Sequence, residues 1–169
     1  MTLSMESASR PAFVRVLNSM LAWLDKAQAH AEARKFDPDN YLTLRLAPDM
    51  LTFKSQIQIA SDMVKGCVAR LAGVEVPNWS DDEATLEDLR GRIRKTIEFV
   101  QSVPAGQIDG SDQRAIALPT RSGDPRRFSG QDYLTQFVLP NLYFHAGMTY
   151  ALLRSAGVEL GKRDFLGLQ

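Results

Sequence analysis

Asn141 and His145 are polar residues in a helical stripe whose other members are apolar. The stripe contains Leu134, Val138, Asn141, His145, Met148 and Leu152, at alternating steps of four and three residues. This spacing is typical of a helix face that packs into a core. Residues four apart share a helix face, so we expect these two polar side chains to lie close to one another. A histidine there could act as a general acid or base, or as a metal ligand.

Pro140 directly precedes this pair. A proline inside a helix removes a backbone hydrogen bond and kinks the axis, here leaving a carbonyl near Gln136 without its partner. Two interpretations follow. In the first, the kink has two polar groups on its inner side and opens a pocket. In the second, His145 is a core histidine, and Asn141 forms hydrogen bonds with it and with the freed backbone groups.

Four amphipathic segments predict four long helices. The first covers residues 9–30, and the second carries a stripe from Met50 to Leu71, with Pro48 in its first turn and Gly73 as its stop. The third begins at the acidic segment 80–83 and ends before Pro104. The fourth runs from about residue 129 to 156 and ends at Gly157.

Residues 105–128, between the third and fourth helices, lack helical periodicity. The apolar run 115–118, the turn Ser122-Gly123-Asp124 and Phe128 predict a short β-hairpin there. We expect the C-terminal segment 161–166 to fold back over the mouth of the bundle, anchored by its phenylalanine and leucine. The predicted fold is therefore an all-α four-helix bundle with a short hairpin, formed as one domain by residues 1–169.

Composition excludes several classes of function. Twenty basic and twenty acidic residues give a formal net charge of zero, which argues against nucleic acid as a partner and leaves self-association unopposed. No stretch approaches the roughly 20 apolar residues of a membrane span, and the polar N-terminus lacks the apolar core of a signal peptide. The single cysteine is compatible with a reducing compartment, so we expect a cytoplasmic location and no membrane partner.

Several stretches of the chain resemble the DinB-like bundles, a superfamily described as metal-dependent. Residues 141–148, Asn-Leu-Tyr-Phe-His-Ala-Gly-Met, followed by Leu153-Arg154 and Gly157, resemble the last helix of that superfamily, whose pattern is His-x-x-x-His-x-Gly-Gln and then Leu-Arg-x-x-Gly. Segments 46–50, 71–77, 129–133 and 161–167 are more closely similar to an uncharacterised bacterial domain-of-unknown-function branch. The resemblance extends over nearly the full length and implies the DinB-like fold.

The resemblance implies a metal site that this chain has partly lost. His145 matches the second histidine of the family pair, whereas Asn141 replaces the first, and the family histidine early in the second helix has no counterpart. Gln56 is the polar residue that we expect to face His145 from that helix. If a divalent metal such as Zn or Ni binds, its ligands are His145, Asn141 and Gln56. Amides are weak neutral donors, so we expect no resident metal.

These residues leave the choice between an enzyme and a binding protein open. The favoured hypothesis is a small-ligand-binding or scaffold homodimer with a degenerate metal site at His145. The small molecule that it binds would contact Asn141, Gln56 and Tyr143 in the bundle core. The alternative is a metal-dependent or His145-dependent enzyme resembling the thiol transferases and hydrolase-like members of the superfamily. In that case His145 is the catalytic acid or base.

Overall fold

The first helix of the bundle is longer than its apolar stripe. The structure, a computed structural model, describes residues 4–120 and 123–168. Helix α1 spans Met5–Arg34 and begins at Ser4, whose side chain accepts from the Ser7 N–H in a capping box. It ends at Lys35 in the left-handed conformation, with φ of 58°. The predicted loop after it forms a 3₁₀-helix, Pro38–Thr43.

Helix α2, Phe53–Ala72, starts later than its stripe predicts. Thr52 caps it by accepting from the Ser55 N–H, so Pro48 and Met50 lie outside the helix and the expected first turn at Pro48 is wrong. The predicted stop is confirmed: Gly73 ends the helix with φ of 73°, a conformation that side chains with a Cβ rarely adopt.

Helix α3, Leu86–Ser102, also starts after its predicted acidic cap. Thr85 and Asp88 form its capping box, whereas residues 80–83 belong to the preceding connector. A one-turn helix α4, Ala105–Ile108, follows, which corrects the expectation that no helix lies within residues 105–128. One turn is too short to show a helical period in the sequence.

The predicted hairpin is present. Strands β1, Ile116–Leu118, and β2, Arg126–Phe128, pair antiparallel, with Ile116 opposite Phe128. The turn predicted at residues 122–124 begins at Ser122, which lies outside the described residues.

The last long helix is continuous but not uniformly α-helical. Helix α5, Gly130–Asp132, leads into a π-helical segment, Tyr133–Val138, and then into α6, Leu139–Ser155. The wider π turn directly before Pro140 is the local response to a residue that has no N–H to donate. Gly157, with φ of 96°, follows the end of α6, as predicted.

The C-terminal segment packs against α1. Helix α7, Lys162–Leu166, places the Phe165 ring parallel to Trp23, with 5.6 Å between the ring centroids. The Trp23 Nε1–H donates to the Asp164 carbonyl at 3.1 Å. The segment therefore folds back with its phenylalanine as anchor. It lies against the middle of α1 rather than over the mouth of the bundle, and Leu166, the second expected anchor, is 41% exposed.

The order of the helices requires a long crossover. At one end of the bundle, Arg10 of α1 donates to the Val103 carbonyl just after α3, so these two helices are antiparallel. Glu83, just before α3, contacts Lys54 and Gln58 in the first turns of α2, so α2 and α3 run parallel. Residues 73–85 must therefore return along the whole bundle. The last helix runs parallel to α1, since His30 and Gly157 meet at their carboxyl ends.

The core is formed by the four apolar stripes. All four long helices contribute fully buried side chains, among them Phe13, Leu17, Ile57, Val64, Leu89, Ile93, Val138 and Leu142. Along the predicted stripe of the last helix, Leu134, Val138, His145 and Leu152 are buried, while Asn141 and Met148 are half-buried. The all-α bundle with its short hairpin is thus confirmed. No described helix combines the length and apolar content that crossing a membrane requires.

Candidate functional site

His145 and Gln56 meet between the last helix and α2. Their side chains are buried, at 7% and 2% exposure, and Nδ1 of the imidazole lies 2.7 Å from Oε1 of the amide. Gln56 lies in the first turn of α2, which Thr52 caps, and His145 lies in the second turn after Pro140. The structure thus brings together two of the four residues predicted for the site.

The amide of Gln56 determines which imidazole nitrogen carries the proton. Its Nε2 donates to the Leu51 carbonyl at 3.1 Å, and a carbonyl can only accept. Oε1 must therefore face His145, and because Oε1 is also only an acceptor, Nδ1 carries the hydrogen. In the neutral ring, Nε2 then keeps its lone pair. No hydrogen bond to Nε2 occurs among residues 4–120 and 123–168, so this lone pair has no partner within the described parts of the chain.

Burial lowers the pKa of His145 below its usual 6.5 because desolvation disfavours the charged ring. The ring is therefore neutral at physiological pH. The Phe144 ring meets it edge-on at 5.2 Å between centroids and is itself 53% exposed. The site thus combines a neutral imidazole, a fixed proton on Nδ1 and an apolar border at the surface.

Asn141 does not hydrogen-bond to His145. Its Nδ2 donates to the Phe137 carbonyl at 2.6 Å, within its own helix. Phe137 lies within the π-helical segment, so the amide bonds the main chain next to Pro140 rather than the imidazole. The expected pairing of Asn141 with His145 is therefore corrected. The amide does bond the main chain, but at Phe137, one residue after the Gln136 carbonyl that Pro140 is expected to leave free.

Tyr143 points away from the His145–Gln56 pair. It is 45% exposed and lines a separate cavity of about 200 Å³ together with Ala12, Arg15 and Leu166. Tyr143 is two residues away from both Asn141 and His145 in the chain, and residues two apart lie on different faces of a helix. Tyr143 is therefore not a contact of the buried pair.

The side chains at this site do not fit a three-ligand transition-metal centre. The Gln56 oxygen accepts from Nδ1, and the Asn141 amide is bound to the backbone, so the Nε2 atom of His145 is the single strong donor on offer. Across the described parts of the chain, no three His, Cys, Asp or Glu side chains cluster as metal ligands would. An imidazole alone holds a first-row metal weakly.

An ion network around the buried Arg92 is a polar feature that the sequence did not reveal. The Arg92 side chain is 2% exposed and pairs with Asp62 at 3.0 Å, Asp81 at 2.9 Å and Glu83 at 2.8 Å. Burial alone would raise the pKa of Glu83, but hydrogen bonds from Arg92 and Gln58 hold it below its usual range. These residues come from α2, α3 and the crossover, and no local spacing indicates that they meet.

Comparison with known proteins adds the family to this geometry. A family model described as a domain of unknown function, DUF1993, matches residues 5–166. The chain belongs to the DUF1993 family. A crystal structure of a DinB family member from Shewanella denitrificans is similar to this DUF1993 protein at 35% sequence identity and a TM-score of 0.90. The alignment covers 97% of this chain and 92% of that one, and the resemblance to the DinB-like bundles is confirmed.

A search of the curated proteins finds no match for this DUF1993 chain. The family relationship therefore identifies the fold and brings no activity with it.

Proposed function

We propose that this DUF1993 protein is a small-ligand-binding or scaffold homodimer whose site at His145 no longer holds a metal. The observation that carries the proposal is the hydrogen bond from Nδ1 of His145 to Gln56, whose amide is held in turn by the Leu51 carbonyl. This chain of bonds uses the Gln56 oxygen and leaves one neutral acceptor, Nε2, for a partner molecule.

The free acceptor and the surroundings of the His145 ring favour a ligand that has an N–H or O–H donor and an apolar part. Phe144 borders the ring, and Leu51, whose carbonyl orients Gln56, is 49% exposed. A donor from the ligand would bond Nε2, and its apolar part would cover Phe144. A fixed tautomer favours such a ligand over one that presents an acceptor, because Nε2 has no hydrogen to give.

The same border is the face that we propose for the homodimer. Phe144 and Leu51 are large apolar side chains left about half exposed, and a second copy of the chain would bury them. The formal net charge of zero offers no long-range repulsion between copies. Association through this face would also shield Nε2 of His145 from bulk water.

Elemental analysis of the tag-free protein tests the metal part of the proposal. We expect less than a stoichiometric amount of any transition metal, with no difference between the natural chain and His145→Ala. One equivalent of Zn or Ni that disappears in His145→Ala would overturn it. Gln113→Ala, at an exposed glutamine, is the matched control: it is purified in the same way and should have the same metal content as the natural chain.

Light scattering during size-exclusion chromatography tests the homodimer. We expect a dimer that Leu51→Ser combined with Phe144→Ser converts to a monomer. Val74→Ser removes a side chain of similar exposure, 40%, and should leave the dimer intact. A monomeric natural chain, or equal effects of the two replacements, would contradict the assigned face.

The orientation of His145 also favours a second candidate function, general-base catalysis on a small molecule. A neutral imidazole whose Nδ1–H is held by an orienting acceptor is the arrangement in which Nε2 takes a proton from a substrate. Turnover of any member of a broad substrate panel that falls at least 100-fold in His145→Gln would support the enzyme over the binding protein. Turnover that His145→Gln leaves unchanged would exclude this role.

A further inference from the structure

A basic groove lies at the end of the bundle where α1 and α6 both terminate. It encloses about 920 Å³ between the last turns of α1 and the segment that connects α6 to α7. Its lining carries five Lys or Arg side chains against two carboxylates, in a chain whose formal net charge is zero. The basic side chains and the histidine that line it are Lys26, His30, Arg34, Arg154, Lys162 and Arg163.

One of the two carboxylates is already neutralised within the groove. Asp164 pairs with Lys26 at 2.6 Å and accepts from the Gly161 N–H at 2.7 Å. The remaining carboxylate, Glu159, is exposed. Among the residues that the structure describes, none of the other four cations is paired with an acidic side chain. The groove therefore keeps a surplus of positive charge.

The unpaired cations are not needed to cap the helices that end here. At the end of α1, the Lys35 N–H donates to the carbonyls of Ala31 and Glu32. At the end of α6, the N–H groups of Gly157 and Val158 donate to the carbonyls of Arg154 and Leu153. Main-chain donors thus satisfy these carbonyls. The Arg154 guanidinium donates to the Val158 carbonyl at 3.2 Å, and its remaining N–H groups can still serve a ligand.

His30 adds a ring N–H donor to the groove. Its Nδ1 lies 2.6 Å from the hydroxyl of the buried Tyr41. A neutral imidazole nitrogen is a stronger base than a phenol oxygen, so the hydroxyl donates to Nδ1 and the hydrogen of the ring lies on Nε2. A Cβ at Gly157 would lie 3.4 Å from this Nε2. The glycine therefore leaves the donating edge of the ring open.

From these contacts we propose that the groove binds a small molecule that carries phosphate groups. Guanidinium groups form paired hydrogen bonds with phosphate oxygens, and the groove offers three of them, from Arg34, Arg154 and Arg163. The charge surplus suits a ligand with at least two negative charges. The volume accommodates a group larger than a single phosphate. This site shares no residue with the His145–Gln56 pair and is independent of the proposed function there.

Isothermal titration of the full chain with inorganic pyrophosphate, at constant ionic strength, tests the proposal. We expect one equivalent to bind, and Arg34→Gln combined with Arg163→Gln to raise Kd at least about a hundredfold, because each replacement removes at least one hydrogen bond to a charged group, which is worth about tenfold or more. Arg114→Gln combined with Arg127→Gln removes the same charge from exposed positions outside the groove and should leave Kd unchanged.

Three results would overturn the phosphate assignment. They are no binding of pyrophosphate by the natural chain, equal weakening by the two double replacements, and tighter binding of citrate than of pyrophosphate. If the double replacement in the groove prevents cooperative unfolding, the Kd values of Lys162→Gln and of its control Arg127→Gln are compared instead, since each variant removes one positive charge.

Discussion

Nδ1 of His145 lies 2.7 Å from Oε1 of Gln56, a residue 89 positions earlier in the chain. The bond joins the last long helix to the first turn of α2, and the Leu51 carbonyl holds the amide in place. Because both partners are buried, the hydrogen bond cannot be replaced by water without rearrangement. The hydrogen bond between His145 and Gln56 therefore stabilises the fold and also fixes the tautomer of the imidazole ring.

Replacing Gln56 with Leu should affect both properties. The variant leaves the buried Nδ1–H without its acceptor, at an expected cost of about 1–3 kcal/mol in the free energy of unfolding. It also releases the ring to place its hydrogen on Nε2, which ¹⁵N chemical shifts of the imidazole report directly. Gln113→Leu, at an exposed glutamine, should change stability by less than about 0.5 kcal/mol. An unchanged tautomer in Gln56→Leu would contradict the assigned role.

The lowered pKa of His145 predicts a dependence of stability on pH. The unfolded chain has the ordinary value of 6.5, and burial places the folded value below it. Between the two values the unfolded chain binds more protons, so the free energy of unfolding falls as the pH is lowered through this window. The stability is fully present above pH 6.5 and the loss is complete below the folded pKa.

Urea unfolding at a series of pH values measures this effect. His145→Gln should remove the part of the pH dependence that lies just below 6.5, while Gln113→Ala, at an exposed glutamine, should retain it. Gln56→Glu should raise the pKa of His145, because a carboxylate against Nδ1 favours the charged ring. A pH profile that is the same in the natural chain and in His145→Gln would show that the ring does not titrate differently on folding.

The helices could be predicted because helical periodicity marks each buried stripe. The pairing partner of His145 could be predicted from the resemblance to the DinB-like bundles, since Gln56 lies early in the second helix, where those bundles carry a histidine, and borders the stripe of α2. The direction of Asn141 could not be predicted in the same way. The π-helical segment before Pro140 changes which carbonyl lies within reach of its amide, and helical spacing alone assumes a regular α-helix.

Contacts between distant segments had no signal in the sequence. Arg92 lies one residue before the stripe position Ile93 and has the pattern of a solvated helix residue, yet its side chain is 2% exposed. Its partners lie in α2 and in the crossover, whose path back along the bundle is a consequence of the parallel arrangement of α2 and α3. A single sequence contains no record of such pairings.

Gly130 should be intolerant of any side chain. A Cβ at this position would overlap the main-chain carbonyl of Ser111, which cannot move aside as a flexible side chain could. Gly130→Ala should therefore lower the free energy of unfolding by about 3 kcal/mol or more, measured by chemical denaturation. Gly147→Ala is the matched control, because nothing lies within 4 Å of a Cβ there. It should be neutral or stabilise the helix by up to about 1 kcal/mol.

Arg92 holds the crossover against both helices that it connects. Arg92→Ala leaves the carboxylate of Glu83 buried without its main partner, and removing one member of a buried ion pair typically costs about 3–5 kcal/mol. The pKa of Glu83 should rise, since the hydrogen bond that lowers it is lost while its burial remains. Chemical denaturation and an NMR titration of the Glu83 carboxyl measure the two effects.

Arg94→Ala is the matched control for Arg92→Ala, because it breaks the pair with Glu87 at a position where both side chains are more than half exposed. An exposed pair contributes less than about 1 kcal/mol, so this variant should unfold close to the natural chain. If the two replacements cost the same, the buried network does not anchor the crossover. The path of residues 73–85 along the bundle would then depend on apolar packing alone.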